Sequence, residues 1–179
     1  MALEVPGRVL DSLTTFQNEL SATGADLKLV ERQNLHFTVK FLGEISEVQA
    51  ADARSRLRGL PLKGAEVEVR GAGAFPTPAR PRVAWAGVAR ENEQLVMPIA
   101  EGVRGSLEGI GERDDRPFQA HITLARVRSG RNLRQLAELL RANSERPFGV
   151  ATLSELKLKS SVLTPSGPVY NDVEVYKLG

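Results

Sequence analysis

Two stretches decide the reading of this chain: Leu35-His36-Phe37-Thr38-Val39-Lys40-Phe41-Leu42-Gly43 and His121-Ile122-Thr123-Leu124-Ala125-Arg126-Val127. They hold its only two histidines, 85 positions apart, and each histidine has a threonine two places on. With eight threonines in 179 residues, independent placement gives that match a chance of about 0.002. In an extended strand, residues i and i+2 point to the same face. Each motif therefore presents an imidazole beside a hydroxyl on one surface. The intervening Phe37 and Val39, and Ile122 and Leu124, then face a core.

Working outward, helical periodicity surrounds both motifs. Val9, Leu13, Phe16 and Leu20 recur at helical spacing between Pro6 and Gly24, which predicts a first amphipathic helix. Ser46 with Gln49 reads as a capping box opening a second helix to about Leu60, with Val48, Ala53, Leu57 and Leu60 as its apolar stripe. A third helix is expected over 94–109 through Leu95, Ile99, Val103 and Leu107. A fourth follows from Leu133, Leu136, Ala137 and Leu140. Between them lie strand-like runs at 27–30, 35–42, 65–72, 82–88 and 118–127. A run over 149–162 changes phase midway, and in 169–176 Val169, Val173 and Val175 share one face. Phe75 to Pro81 and Thr164 to Pro168 read as turns. Adjacent strand pairs among the helices predict an α+β fold with largely antiparallel sheets. The half-chain spacing of the motifs suggests one bilobal domain over 1–179, two similar lobes facing across a central cleft with helices outside, each lobe contributing one motif.

Composition limits the chemistry. The chain has no cysteine, which excludes disulfides, thiol nucleophiles and the common structural zinc cages. It has no apolar run of membrane-spanning length and no secretory-type leader, so the expected setting is cytoplasmic, with no membrane partner. The net charge is only +2, yet the arginines are segregated. No acidic residue lies between Glu68 and Glu91 or between Asp115 and Glu138, while Arg70, Arg80, Arg82, Arg90, Arg116, Arg126, Arg128, Arg131 and Arg134 fall there. Guanidinium forks match phosphate oxygens in pairs. A phosphate-bearing ligand fits this pattern, with Arg128 and Arg131 expected to hold phosphates beyond the reacting one.

If the two motifs converge, the cleft holds two imidazoles and two hydroxyls, a set suited to attack on a phosphodiester. One neutral histidine takes a proton from water and a protonated one gives a proton to the departing sugar oxygen. The threonine hydroxyls donate to the non-bridging oxygens, where negative charge develops. A lone histidine is more often a packed or solvated ring than a catalyst; two matched copies reverse that weighting. A metal site is the weaker reading, because two histidines lack the third ligand of catalytic zinc and neither motif contains an acid. No GxxxxGK[ST] phosphate loop is present.

The two motifs, each with its hydrophobic and glycine or arginine context, resemble the signatures of the two-histidine phosphoesterase superfamily. Within it the chain is most similar to the RNA 2′,3′-cyclic phosphodiesterases, also called 2′-5′ RNA ligase-like proteins. Asp26-Leu27-Lys28-Leu29-Val30, Arg82-Val83-Ala84-Trp85-Ala86-Gly87-Val88 and Gly167-Pro168-Val169-Tyr170 extend the match. The resemblance implies a bilobal fold and cofactor-free, metal-independent opening of a terminal cyclic phosphate to a 2′-phosphomonoester. It implies His36, Thr38, His121 and Thr123 as catalytic residues, with His36 the acid and His121 the base, and Arg126 as a substrate-binding residue. Simple alternation puts Arg126 on the face opposite His121, so the strand has to bend or end there. Relatives open with a fuller strand than Ala2-Leu3-Glu4-Val5-Pro6 provides, so a short first strand is expected. Trp85, Phe118 and Tyr170 are the candidates for stacking on a base. The implied partner is RNA with a 2′,3′-cyclic phosphate end, tRNA halves among the candidates, acted on by a monomer. Alternatives are 2′-5′ ligation of RNA halves, hydrolysis of small cyclic nucleotides or of cyclic phosphate on ADP-ribose, and noncatalytic RNA binding.

Overall fold

The first helix, α1 (Gly7–Ala22), starts directly after Pro6 and buries Val9, Leu13, Phe16 and Leu20, as its spacing requires. The computed structural model describes residues 1–113, 116–164 and 167–179, so the turn expected at Pro165 and Ser166 lies outside the described residues. α2 (Glu47–Arg58) opens with the expected capping box: the Ser46 hydroxyl accepts from Gln49 N, and Ser46 N donates to Gln49 Oε1 at 3.0 Å. Its Val48 is 79% exposed, so the apolar stripe narrows to Ala53 and Leu57. α3 (Glu93–Ser106) buries Val96, Ile99, Ala100 and Val103, whereas Leu95, expected in the stripe, is exposed. α4 (Leu133–Ala142) turns Leu136, Ala137 and Leu140 inward.

Among the described residues there are nine strands, and every described pairing is antiparallel. They are β1 (Ala2–Glu4), β2 (Leu27–Leu29), β3 (His36–Thr38), β4 (Ala65–Thr77), β5 (Arg80–Val88), β6 (His121–Val127), β7 (Pro147–Leu153), β8 (Glu155–Thr164) and β9 (Gly167–Lys177). The order is β7-β4-β5-β6-β3-β1-β8-β9, with β2 on β6. Two runs of four strands therefore meet at β6 and β3, through the single aligned pair Phe37 and Ile122. The runs are not the two halves of the chain: β1 and β3 group with the C-terminal β8 and β9. The strands carrying the two histidine motifs are the neighbours at this join.

Several boundaries differ from those expected. The motif strands are shorter, beginning at the histidines themselves. The turn expected from Phe75 to Pro81 shrinks to Pro78 and Ala79, because pairing of β4 with β5 continues to Thr77 and Arg80. The phase change in 149–162 is a break at Ser154 between β7 and β8. In β9 the valine face is the exposed one, while Tyr176 is buried.

A β-bulge resolves the difficulty with Arg126. Against β5, Ala125 pairs with Ala84 and Thr123 with Trp85, so Leu124 is an extra residue on β6. Such a residue shifts the alternation beyond it. Leu124 and Ala125 both point into the core, and Arg126 emerges exposed, in phase with Thr123 and His121. The bulge is tied from the core side by Gln17 of α1, which is 3% exposed. Its Nε2 donates to the carbonyls of Leu124 and Val30, each at 2.8 Å, and Val30 N also donates to the Leu124 carbonyl at 2.9 Å.

Replacing this amide leaves a buried carbonyl without one of its donors. Gln17→Leu should lower the unfolding free energy by about 1–3 kcal/mol, read from urea denaturation. A loss below about 0.5 kcal/mol would show that the bulge holds itself without the tie.

Candidate active site

The pairing of Phe37 with Ile122 sets the geometry of the site. Both side chains are fully buried, as the alternation predicts, and they turn the residues on either side of them to the opposite face. Extending the antiparallel register by one residue each way brings His36 beside Thr123 and Thr38 beside His121. A cavity of about 300 Å³ opens on this face, lined by His36, Thr38, Thr123 and Arg126 among others. His121 is not among its lining residues. It stands two residues before Thr123 on the same face of β6, half-buried against Phe75, with ring centroids 4.8 Å apart.

Local contacts orient both imidazoles in the same way. His121 Nδ1 lies 2.7 Å from the carbonyl of Gln119, two residues earlier. Donation to that carbonyl places the proton on Nδ1 and leaves Nε2 as the acceptor. The His36 ring is hydrogen-bonded by the backbone of Asn34, again two residues earlier, and its Nε2 lies 3.2 Å from Thr38 Oγ1. Each ring thus keeps one nitrogen on the backbone and offers the other.

Burial lowers the pKa of both histidines. His36 is pushed down to about 4, by burial first, then by the positive charges of Lys159 and the amino terminus, against the raising influence of the Asn34 backbone and Glu4. His121 is lowered by burial and, more weakly, by Arg116, with its bond to Gln119 opposing. Glu4 is the cross-strand partner of His36 and would ordinarily hold its proton. Instead Glu4 is engaged by two lysines: Lys157 at 2.9 Å and Lys159 at 2.7 Å, and both lysines also bond Asp172 at 2.7 Å. This square of two cations and two carboxylates spans β1, β8 and β9. It leaves little of the Glu4 charge for the imidazole.

The aromatic candidates separate. Tyr170 lines the cavity and meets the His36 ring edge-on at 5.9 Å. Trp85 lies flat over Gly73 of β4, where a Cβ would come within 2.3 Å of the indole, and packs against Phe75 at 5.4 Å. Phe118 packs against the core. Of the arginines in the two acid-free stretches, Arg126 alone lines the cavity among the described residues. Arg131 donates to the Gly24 carbonyl and Arg134 pairs with Glu138; Arg128 is exposed away from the cavity. The remaining polar lining residues, Lys28, Glu31 and Asn34, come from the segment before the first motif. Charge segregation along the sequence did not point to them; the Asp26 to Val30 match covered Lys28 without assigning it a role. Among the described residues no three histidine, aspartate or glutamate side chains group as a metal site, and no helix is long and apolar enough to cross a membrane.

A family model described as LigT like Phosphoesterase matches residues 3–85 and 87–170. The chain is 36% identical over 177 residues to a protein of Archaeoglobus fulgidus named RNA 2′,3′-cyclic phosphodiesterase, covering 99% of this chain and 98% of that protein. A protein of the same name from Aeropyrum pernix is 38% identical over 159 residues, covering 88% and 90%. Among solved structures, TT0787 of Thermus thermophilus superposes with a TM-score of 0.80 at 29% identity, covering 99% of this chain and 95% of that one. The fold is also that of E. coli LigT complexed with 3′-AMP, at a TM-score of 0.79, 21% identity, and coverage of 99% and 95%. By sequence and by fold, this chain belongs to the LigT-like phosphoesterases.

Proposed function

We propose that the protein is an RNA 2′,3′-cyclic phosphodiesterase that opens a terminal cyclic phosphate to a 2′-phosphomonoester with two histidines and no metal. The observation that carries this reading is the alignment of the two histidine-threonine motifs about Phe37 and Ile122, beside a cavity that also holds Arg126. The names of its relatives support the same substrate class. The reading takes a cytoplasmic monomer acting on RNA ends, tRNA halves among them.

In the forward step, water attacks phosphorus and a new P–O bond forms as the P–O3′ bond breaks. His121 Nε2 receives the proton of the attacking water. His36 gives its proton to the departing O3′, which leaves the phosphate on O2′. The hydroxyls of Thr38 and Thr123 donate to the non-bridging oxygens, and Arg126 binds the same anion. In the empty cleft His36 is neutral at neutral pH, since its pKa lies near 4. The negative phosphate raises it on binding, because an opposite charge favours the protonated ring. Substrate thereby helps to arm its own acid.

The direct test is hydrolysis of an oligoribonucleotide with a 2′,3′-cyclic phosphate end, in chelator, with identification of the product isomer. His36→Ala and His121→Ala should each lower turnover on the order of 100-fold or more, with the 2′-phosphate as product of the parent enzyme. Near-normal rates in a folded His121→Ala protein would sink the mechanism. Activity lost in chelator and restored by one divalent ion would replace it with a metal-assisted one.

The pH dependence has a definite sign. Both free-enzyme pKa values lie below the ordinary histidine value, so both limbs of the kcat/KM bell should fall below about pH 6.5. Above that, kcat/KM declines as the acid loses its proton. The kcat profile, which reports the complex, should sit at higher pH because bound phosphate raises His36. A kcat/KM that keeps rising from about pH 6.5 to 8 contradicts this account.

A further inference from the structure

Lys28 and Arg126 are direct cross-strand partners on β2 and β6. Both are exposed, and both line the cavity that holds His36, Thr38 and Thr123. Among the described residues neither side chain has an ion-pair or hydrogen-bond partner. Like charges placed directly opposite each other weaken an antiparallel pair. Phosphates bound beside the two would turn that repulsion into binding.

Other cations near the cleft are already engaged. Lys157 and Lys159 are held between Glu4 and Asp172, and Arg131 turns to the Gly24 carbonyl. Glu31 stands on the same wall, and its carboxylate accepts from Gln33 Nε2 at 2.8 Å and Asn34 Nδ2 at 3.4 Å. A carboxylate repels phosphate, which confines a bound anion to the Lys28 and Arg126 end. Arg126 is in phase with Thr123 and, in the mechanism proposed above, binds the reacting phosphate. Lys28 stands one strand farther out, with its Cα about 5 Å from that of Arg126.

We propose that Lys28 forms, beside Arg126, a second phosphate subsite that takes the phosphodiester joining the cyclised nucleotide to the rest of an RNA chain. This rests on the function proposed above and deepens it: the cleft is built for the end of a polymer. A cyclic mononucleotide has no such phosphodiester. The role expected of Arg128 and Arg131 passes to a lysine that precedes the first motif.

The test compares a 2′,3′-cyclic mononucleotide with a dinucleotide bearing the same cyclic end. Lys28→Gln should lower kcat/KM for the dinucleotide on the order of tenfold and leave the mononucleotide within about twofold of its original value. The salt dependence of dinucleotide kcat/KM should lose roughly 0.7 of log–log slope, and Lys28→Arg should retain both properties. Without ligand, Lys28→Gln should melt no lower than the parent protein, since a repulsion is relieved. Equal loss on both substrates would put Lys28 on the reacting phosphate, and no loss on either would leave it a solvated lysine; both results overturn the subsite. Calorimetric binding of the dinucleotide and mononucleotide 2′-phosphates gives an arm that needs no turnover. If the parent protein cleaves neither cyclic substrate, the function fails. The subsite is then judged by whether Lys28→Gln weakens the dinucleotide selectively.

Discussion

The site depends on one contact between strands distant in sequence. Phe37 and Ile122 are the aligned pair where β3 meets β6, and both are buried completely. Because side chains alternate along a strand, burying these two commits His36, Thr38, His121 and Thr123 to the opposite surface. An antiparallel register then sets each histidine across from the threonine of the other motif. A slip of one residue would turn one whole motif into the core. Hydrophobic packing, together with the pairing of β3 with β6, thus holds the polar geometry.

Electrostatic isolation is the second element of the design. His36 neighbours a carboxylate on the adjacent strand, an arrangement that usually stabilises the charged imidazole. Here two lysines, each also bonded to Asp172, hold that carboxylate. Burial therefore dominates, and the His36 pKa falls to about 4. In the proposed mechanism a bound phosphate raises this pKa, so the ring is protonated where it has to give a proton to the leaving oxygen.

The third element is the bulge at Leu124, which lets one strand serve two purposes. Up to Thr123 the strand follows plain alternation and carries the motif. Beyond the extra residue its phase reverses, and a guanidinium that would otherwise enter the core reaches the cleft. The buried amide of Gln17 supports this change by donating to the carbonyls of Val30, just past β2, and Leu124 on β6. The same strand pair then sets Lys28 beside Arg126, linking the core tie to the charge pattern on the outer surface.

Much of this was legible in the chain itself. The matched motifs identified the four residues proposed for catalysis, and helical spacing located the four α-helices among the described residues, because local periodicity reports which face is buried. The capping box at Ser46 and Gln49 was readable for the same reason, since its bonds span three residues. Contacts across long separations were not readable. Alternation could show that Arg126 was out of phase with His121, yet the remedy lay in how β6 pairs with β5. The exposure of Leu95 and Val48, and of the valine face of β9, depended on which neighbours each element met. The arginine-rich stretch around the second motif suggested a row of phosphate contacts, but sheet pairing admitted Arg126 and drew in Lys28 from nearly a hundred residues away. Residue types and their local spacing determined the chemistry available to this protein; strand register decided which of those residues share a cleft, because burial of the intervening apolar side chains is settled only when the strands meet.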